Sequence, residues 1–209
     1  MSPLWIWLAA FGLYALFSAW YVGRSRPLSP DEIETHLARV AASAEELDAE
    51  RLAVVRRFLA SDDGREFFMV NLARLASEPL ADPRSGESRP APELLQEYTR
   101  PFMAKLLRRA GHPAFFGRAA GGYVERWGVE PDPGWSFAGV IRYRSRRDMI
   151  ELATDPGFAS IHAYKLVAMT NTLAFPAAPG LAVFGPRVWM ALLLGLLAAL
   201  VQIAFGARG

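Results

Sequence analysis

The chain has 209 residues, 52% of them hydrophobic, and its 23 basic and 21 acidic side chains leave a formal charge of only +2. The basic residues are scattered among acids, which excludes the concentrated patch that nucleic-acid binding needs. Without cysteine there is no disulfide framework and no thiol nucleophile.

The charges stop abruptly at both ends. Every Asp, Glu, Lys and Arg except Arg208 falls between Arg24 and Arg187. Leu4–Val22 is an apolar run in which Ser18 is the only clearly polar side chain, and Val188–Phe205 is a second run broken only by Gln202. A helix rising about 1.5 Å per residue needs roughly 20 apolar residues to cross a hydrocarbon core about 30 Å thick. Both runs meet that length. Trp5 and Trp7, Trp20 and Tyr21, and Trp189 stand where interfacial aromatic belts belong. A cleavable signal peptide fits the first run poorly, because no Lys or Arg precedes it and no A-x-A-like site follows it. Two transmembrane helices are therefore expected, over residues 3–23 and 187–206. Arg24, Arg26 and Arg187 flank the middle, against the terminal amine and Arg208 on the other side. The positive-inside bias places the central domain in the cytoplasm of a two-pass membrane protein. Arg24 and Arg26 would meet anionic lipid headgroups there.

Between the anchors, Ser29-Pro30-Asp31-Glu32 is a capping box with proline at the first helical position. Ile33, Leu37 and Val40 continue it as a helical stripe. A second S-x-x-E, Ser43 to Glu46, starts a helix carrying Leu52, Val55, Phe58 and Leu59, and Asp62-Asp63-Gly64 ends this leader over residues 29–61. Glu66–Leu72 is short and apolar enough to be a buried strand. Residues 76–92 read as a polar loop, and Pro92–Ala110 as a helix stopped by Gly111. Pro113–Arg118 and Trp135–Arg144 follow as strands. Ser145 and Asp148 cap a helix through Ala153, Asp155-Pro156 restarts it to Leu166, and Ala168–Phe175 is a fourth strand. A Pro-rich linker over 177–186 leads to the second anchor.

The order over residues 62–176 is strand, helix, strand, strand, helix, strand. This predicts an α+β, ferredoxin-like βαββαβ domain, an antiparallel sheet with helices on one face. The other face must be filled, and a second copy of the same sheet is the usual solution. A homodimer is expected.

Asp62-Asp63-Gly64 running into Phe67–Leu72, with Glu97-Tyr98 on the next helix, resembles the dimeric α/β-barrel family known as domain of unknown function 1330. Trp135 through Ile141–Arg147, then Asp155-Pro156-Gly157-Phe158 and His162, is similar to that family's second half. The resemblance covers residues 50–176. It departs where Arg144 stands in place of a proline, and in the two flanking apolar segments. It implies the dimeric barrel with a cavity in or beside each barrel, and no particular activity, because the family is itself largely uncharacterised.

Four residues are candidates for ligand contact. Asn71 interrupts an apolar strand on the face of Phe67 and Met69, either bonding a strand end or orienting a ligand. Arg142 shares a face with Ala138 and Val140 and is either a solvated rim residue or the partner of an anion. Tyr98 lies at core spacing with Leu94, Leu95 and Phe102 but offers a hydroxyl. His162 stands beside Tyr164 and Lys165, as a surface or dimer-contact residue or as a base. His36, His112 and His162 share no metal-ligand spacing, and no H-E-x-x-H, Gly-rich phosphate loop or G-x-S-x-G elbow occurs. Neither metal nor cofactor is expected. The leading functional expectation is a membrane-tethered dimer that binds a small, largely apolar molecule. A cofactor-independent oxygenase or isomerase using His162 or Tyr98, and a non-catalytic module that organises membrane partners, are the alternatives.

Overall fold

The computed structural model describes residues 4–23, 26–43, 48–180 and 185–206. Two compact units result, one built from the chain's terminal segments and the other from Ser25–Ala178.

The first unit pairs α1 (Leu4–Val22) with the last helix (Pro186–Gly206), and both are long and apolar enough to cross a membrane. Trp7 Nε1 donates to Gln202 Oε1 at 2.7 Å. Trp5 meets Phe205 edge-on, with ring centroids 6.3 Å apart. Gln202, the one polar interruption of its run, thus has a partner inside the pair, as an apolar surround demands. Arg24 and residues 181–184 of the 177–186 linker lie outside the described residues.

The second unit begins with α2 (Pro30–Ser43) and α3 (Ala49–Ala60). The first capping box forms as expected: Ser29 N donates to Glu32 Oε2 at 2.8 Å, and Glu32 N to Ser29 Oγ at 3.3 Å. The box expected at Ser43 and Glu46 lies outside the described residues. Asp48 caps α3 instead, accepting from Arg51 N at 2.7 Å. Asp62 then makes the turn, with Gly64 at φ 70°, a left-handed conformation that glycine adopts without penalty.

The chain continues through β1 (Phe67–Leu75), β2 (Leu80–Ala81), β3 (Ser88–Arg89), α4 (Ala91–Arg108), β4 (His112–Arg118), β5 (Phe137–Tyr143), α5 (Arg146–Ala153), α6 (Ala159–Ala168) and β6 (Met169–Ala177). The last helix is α7. Four strands form one antiparallel sheet in the order β4-β5-β1-β6. The short β2–β3 hairpin lies in the segment expected as loop. Buried Asp82 organises it, accepting the backbone N–H groups of Arg84 and Ser85 and an ion pair from Arg89 at 2.7 Å.

Alternation along β1 separates two faces. Phe67 and Met69 face α4 and α5, in a core with Leu106, Tyr143, Leu152 and Phe158. Leu75 joins Leu94, Tyr164 and Ala168 in a second cluster between α4 and α6. The leader packs through Leu37 and Leu59 against Ile150 of α5. It therefore extends the helical layer and leaves the opposite sheet face open. On that face Phe68, Val70 and Leu72 lie level with Val140 and with Leu173 and Phe175. Phe115, Leu173 and Phe175 are 57%, 45% and 48% exposed, so nothing among the described residues of this unit covers them.

The end of α4 differs from expectation. The left-handed residue is Ala110, at φ 56°, not Gly111. Glycine is needed one position later for space, because a Cβ there would sit 2.3 Å from Leu106 Cδ1 and 3.0 Å from the Arg142 carbonyl oxygen. The turn is held by Arg142, which donates to the Ala110 carbonyl at 2.6 Å.

Because Leu59 is fully buried, Leu59→Ala should cost about 2–5 kcal/mol of stability. Thermal unfolding of the full chain in detergent, followed by circular dichroism, checks this. An unchanged Tm would detach the leader from the domain's core.

Candidate functional site

Strand alternation and helix packing sort the four candidates into two places. Asn71, Tyr98 and His162 belong to the helix-covered side, whereas Arg142 points to the other side of the sheet, level with Phe68. No single lining holds all four.

Arg142 is 1% exposed, neither a solvated rim residue nor free for a ligand. Its Nη2 lies 2.6 Å from Glu66 Oε2, and Nε donates to the same oxygen at 2.7 Å. Its remaining fork closes the C-terminal turn of α4, where a cation also meets the negative end of the helix dipole. Its role is to tie β5 to α4.

Asn71 opposes Gly139 of β5 and Ala174 of β6. Its amide nitrogen donates to the Met69 carbonyl at 2.9 Å and to Gly139 at 3.4 Å.

Tyr98 and His162 are brought together by the packing of α4 on α6. Their rings meet edge to face at 6.0 Å between centroids, and Tyr98 also stacks on Phe102 at 5.6 Å. Burial pushes the Tyr98 phenol up to about 12, so at neutral pH it is a hydrogen-bond donor and not a base. Its hydroxyl has no hydrogen-bond partner among the described residues. His162 keeps much of its ring in solvent at the rim. The protein on its inner side and the Lys165 charge both lower its pKa, favouring neutral imidazole.

Lys165 was not among the sequence-based candidates. It lies one residue after Tyr164 and three after His162, and its Nζ sits 5.6 Å from the centre of the Tyr98 ring. Burial lowers its pKa, and the like charge of Arg51 from α3 adds to the effect. The signal available in the sequence was rarity: Lys105 and Lys165 are the only lysines among 23 basic residues. Among the described residues no three His, Asp or Glu side chains converge as a metal would require.

Away from these residues, the loop between β4 and β5 carries Trp127 and Trp135. It leaves the end of the sheet where Phe137 pairs with Ala73, and Trp135 Nε1 donates to the Tyr123 hydroxyl at 2.9 Å. A shallow hollow of about 290 Å³ there is lined mostly by small residues, with Asp132 and Trp135 at its edge. Trp127 stands out in solvent.

No family model and no curated protein matches the chain. Among solved structures, the protein of unknown function RPA0582 from Rhodopseudomonas palustris is similar. Its TM-score is 0.52 at 19% identity, over 66% of this chain and 97% of that one. The methylated form of RPA0582 gives a TM-score of 0.51 at 20% identity, over 68% and 96%. At3g17210 from Arabidopsis thaliana reaches a TM-score of 0.34 at 15% identity, over 56% and 99%, too slight to carry an argument. At these identities the likeness to RPA0582 is one of fold alone.

Because the pKa of Lys165 is lowered in the folded chain, its free amine emerges at lower pH than in the denatured chain. Labelling with acetic anhydride across a pH series, read by peptide mass spectrometry, should give a midpoint for Lys165 below that of the same lysine in denaturant. An equal or higher midpoint would show that the site does not desolvate it.

Proposed function

We propose that the chain is a two-pass membrane protein whose cytoplasmic domain pairs with a second copy through the open sheet face and binds a small, largely apolar molecule on the helix side. On this reading the domain is ferredoxin-like and resembles domain of unknown function 1330. The strand order β4-β5-β1-β6 with helices on one face supports the fold.

The observation that carries the proposal is the uncovered apolar face of Phe68, Val70, Leu72, Phe115, Leu173 and Phe175. A contiguous apolar patch of this kind marks an interaction surface. Self-complementarity favours a second copy, because a two-fold axis sets the same apolar strands against each other. The leader does not compete for the face, since it is spent on α5.

Anchoring at both ends draws support from within each unit. Gln202 of α7 takes its partner from α1, which a cleaved leader peptide would remove. In the domain, Leu28 N is held by Asp62 at 3.0 Å just before β1, and β6 ends at Ala177 opposite Phe68. The two chain ends thus leave the domain at the same end of the sheet, as tethers to one bilayer would require.

For the ligand, the support is Tyr98, a half-buried hydroxyl that no side chain among the described residues satisfies, beside His162. The hydroxyl is open to solvent and not sealed in the core, so an external acceptor can take the place of water on it. The enzyme reading has no substrate-binding cleft behind it among the described residues, although His162 in its neutral form and the protonated Tyr98 phenol are in the forms that a base and an acid need.

Two measurements test this. Light scattering in a neutral detergent should give the mass of two chains, and Val70→Asp should weaken the dimer by ~100-fold or more, since burying a carboxylate costs several kcal/mol. A monomeric wild type would remove the dimer. Mass spectrometry of the detergent-extracted protein should find a bound small apolar molecule, and finding phospholipid alone would remove the ligand.

A further inference from the structure

Resting on the reading of the domain as a binder of small apolar molecules, we propose that Lys165, Tyr98 and His162 hold the negatively charged end of that molecule, and that its chemical class is an apolar monocarboxylate.

The argument begins with how the domain treats its other cations. Among the described residues, each remaining buried or half-buried Arg or Lys has an acid. Arg89 meets Asp82 at 2.7 Å, Lys105 meets Asp155 at 2.7 Å, and Arg142 meets Glu66 at 2.6 Å. Arg144 meets Asp148 at 2.8 Å and Arg147 meets Glu32 at 2.7 Å. Arg146 lies 3.4 Å from Asp63 and Arg109 4.0 Å from Glu151. Lys165 alone in this set has none. A half-buried ammonium without a counter-charge is costly, and a fold that pairs seven such cations and leaves the eighth open has a vacancy for an anion there.

Among the described residues the surroundings do not supply that anion. None of the four sheet strands contains an Asp or Glu, and neither does α6. The acids of α4 nearest Tyr98 are Glu93 and Glu97, and both are turned to Arg89, at 3.6 Å and 3.2 Å. From α3 comes only another cation, Arg51. Among the described residues, the charge that acts on Lys165 is the like charge of Arg51.

The remaining groups define the shape of the charge. One ammonium, one phenolic O–H and one imidazole N–H match a single delocalised negative charge on two oxygens. A phosphate dianion is best matched by the planar fork of arginine, whereas the groups in contact here are one ammonium, one phenol and one imidazole. The ring faces of Tyr98, Phe102 and Phe158, at 5.6–6.2 Å from one another, supply an apolar wall for the rest of the molecule.

The test uses the full chain in neutral-detergent micelles and isothermal titration with two matched pairs, 2-naphthoate against 2-naphthamide and octanoate against octanamide. Each acid should bind at least about tenfold tighter than its amide, as expected for a hydrogen-bonded charge pair. Lys165→Met should erase that preference while leaving the unfolding temperature and the oligomer mass unchanged. Lys165→Arg should keep part of it. Equal affinity for acid and amide in the wild type, or a preference that survives Lys165→Met, overturns the carboxylate assignment and leaves small-molecule binding standing. Binding of neither member of either pair overturns both.

Discussion

The register of β1 governs this domain. The strand lies between β5 and β6, so its alternation sets the sidedness of three strands at once. Phe67 opposes Tyr143, and their rings stack at 5.3 Å. Phe58 of the leader closes on Phe67 from a third direction at 5.1 Å. A slip of one residue would carry Phe67, Met69 and Leu75 to the open face and Phe68, Val70 and Leu72 under the helices. The aromatic contacts at the start of the strand hold the register that keeps the helix-side core and the open face distinct.

Around that sheet, arginine acts as the fastener between segments distant in sequence. Arg147 joins α5 to the cap of α2 through Glu32, Arg142 joins β5 to Glu66 and to the last turn of α4, and Arg89 joins the small hairpin, where it meets Asp82, to Glu93 and Glu97 of α4. The rigid, multi-donor guanidinium suits such bridges better than an ammonium. These pairs hold the Glu32 and Asp82 carboxylates below the ordinary range, Asp82 to about 2, with Arg147 and the backbone N–H of Arg84 the leading causes. A depressed folded pKa contributes stability that is present above the unfolded value near 4 and is lost as pH falls through the folded one. The fasteners therefore hold at neutral pH and release in acid. Lys165 stands apart from these pairs in having no acid among the described residues.

The four strands and the paired terminal helices are legible in the sequence because each carries a long enough run to express its period. β1 is recognisable from Phe67–Leu72, yet its true end at Leu75 is hidden by Ala73 and Arg74, which continue the ladder without an apolar signal. The β2–β3 hairpin leaves no trace, since two residues have no periodicity, and what holds it is the side chain of Asp82. Of the candidate residues, Tyr98 and His162 do meet, because helical spacing brings both to the α4–α6 contact. Arg142 misleads. Its place at a strand end looks like a rim until α4's last turn closes over it, and that closure depends on Ala110 and Gly111, tertiary details beyond any pattern. Lys165 escapes notice because an isolated lysine on a helix reads as solvated; only the census of ion pairs in three dimensions marks it.

On the proposed reading, tethering and pairing support each other. Confinement of two chains to one bilayer raises their effective concentration, so a sheet face of modest size suffices for dimerisation. Both ends of the domain depart at the Phe67–Phe68 end of the sheet, which leaves the flat apolar face unobstructed by linkers. Pairing through that face would leave the helix side of each copy, with Lys165, free to take its ligand. An apolar carboxylate is a molecule that partitions into a bilayer and presents its charge at the surface, so the same membrane that concentrates the protein would concentrate the ligand. Anchors, open face and unpaired lysine then answer one physical problem, which is to meet a charged, water-averse molecule where it accumulates.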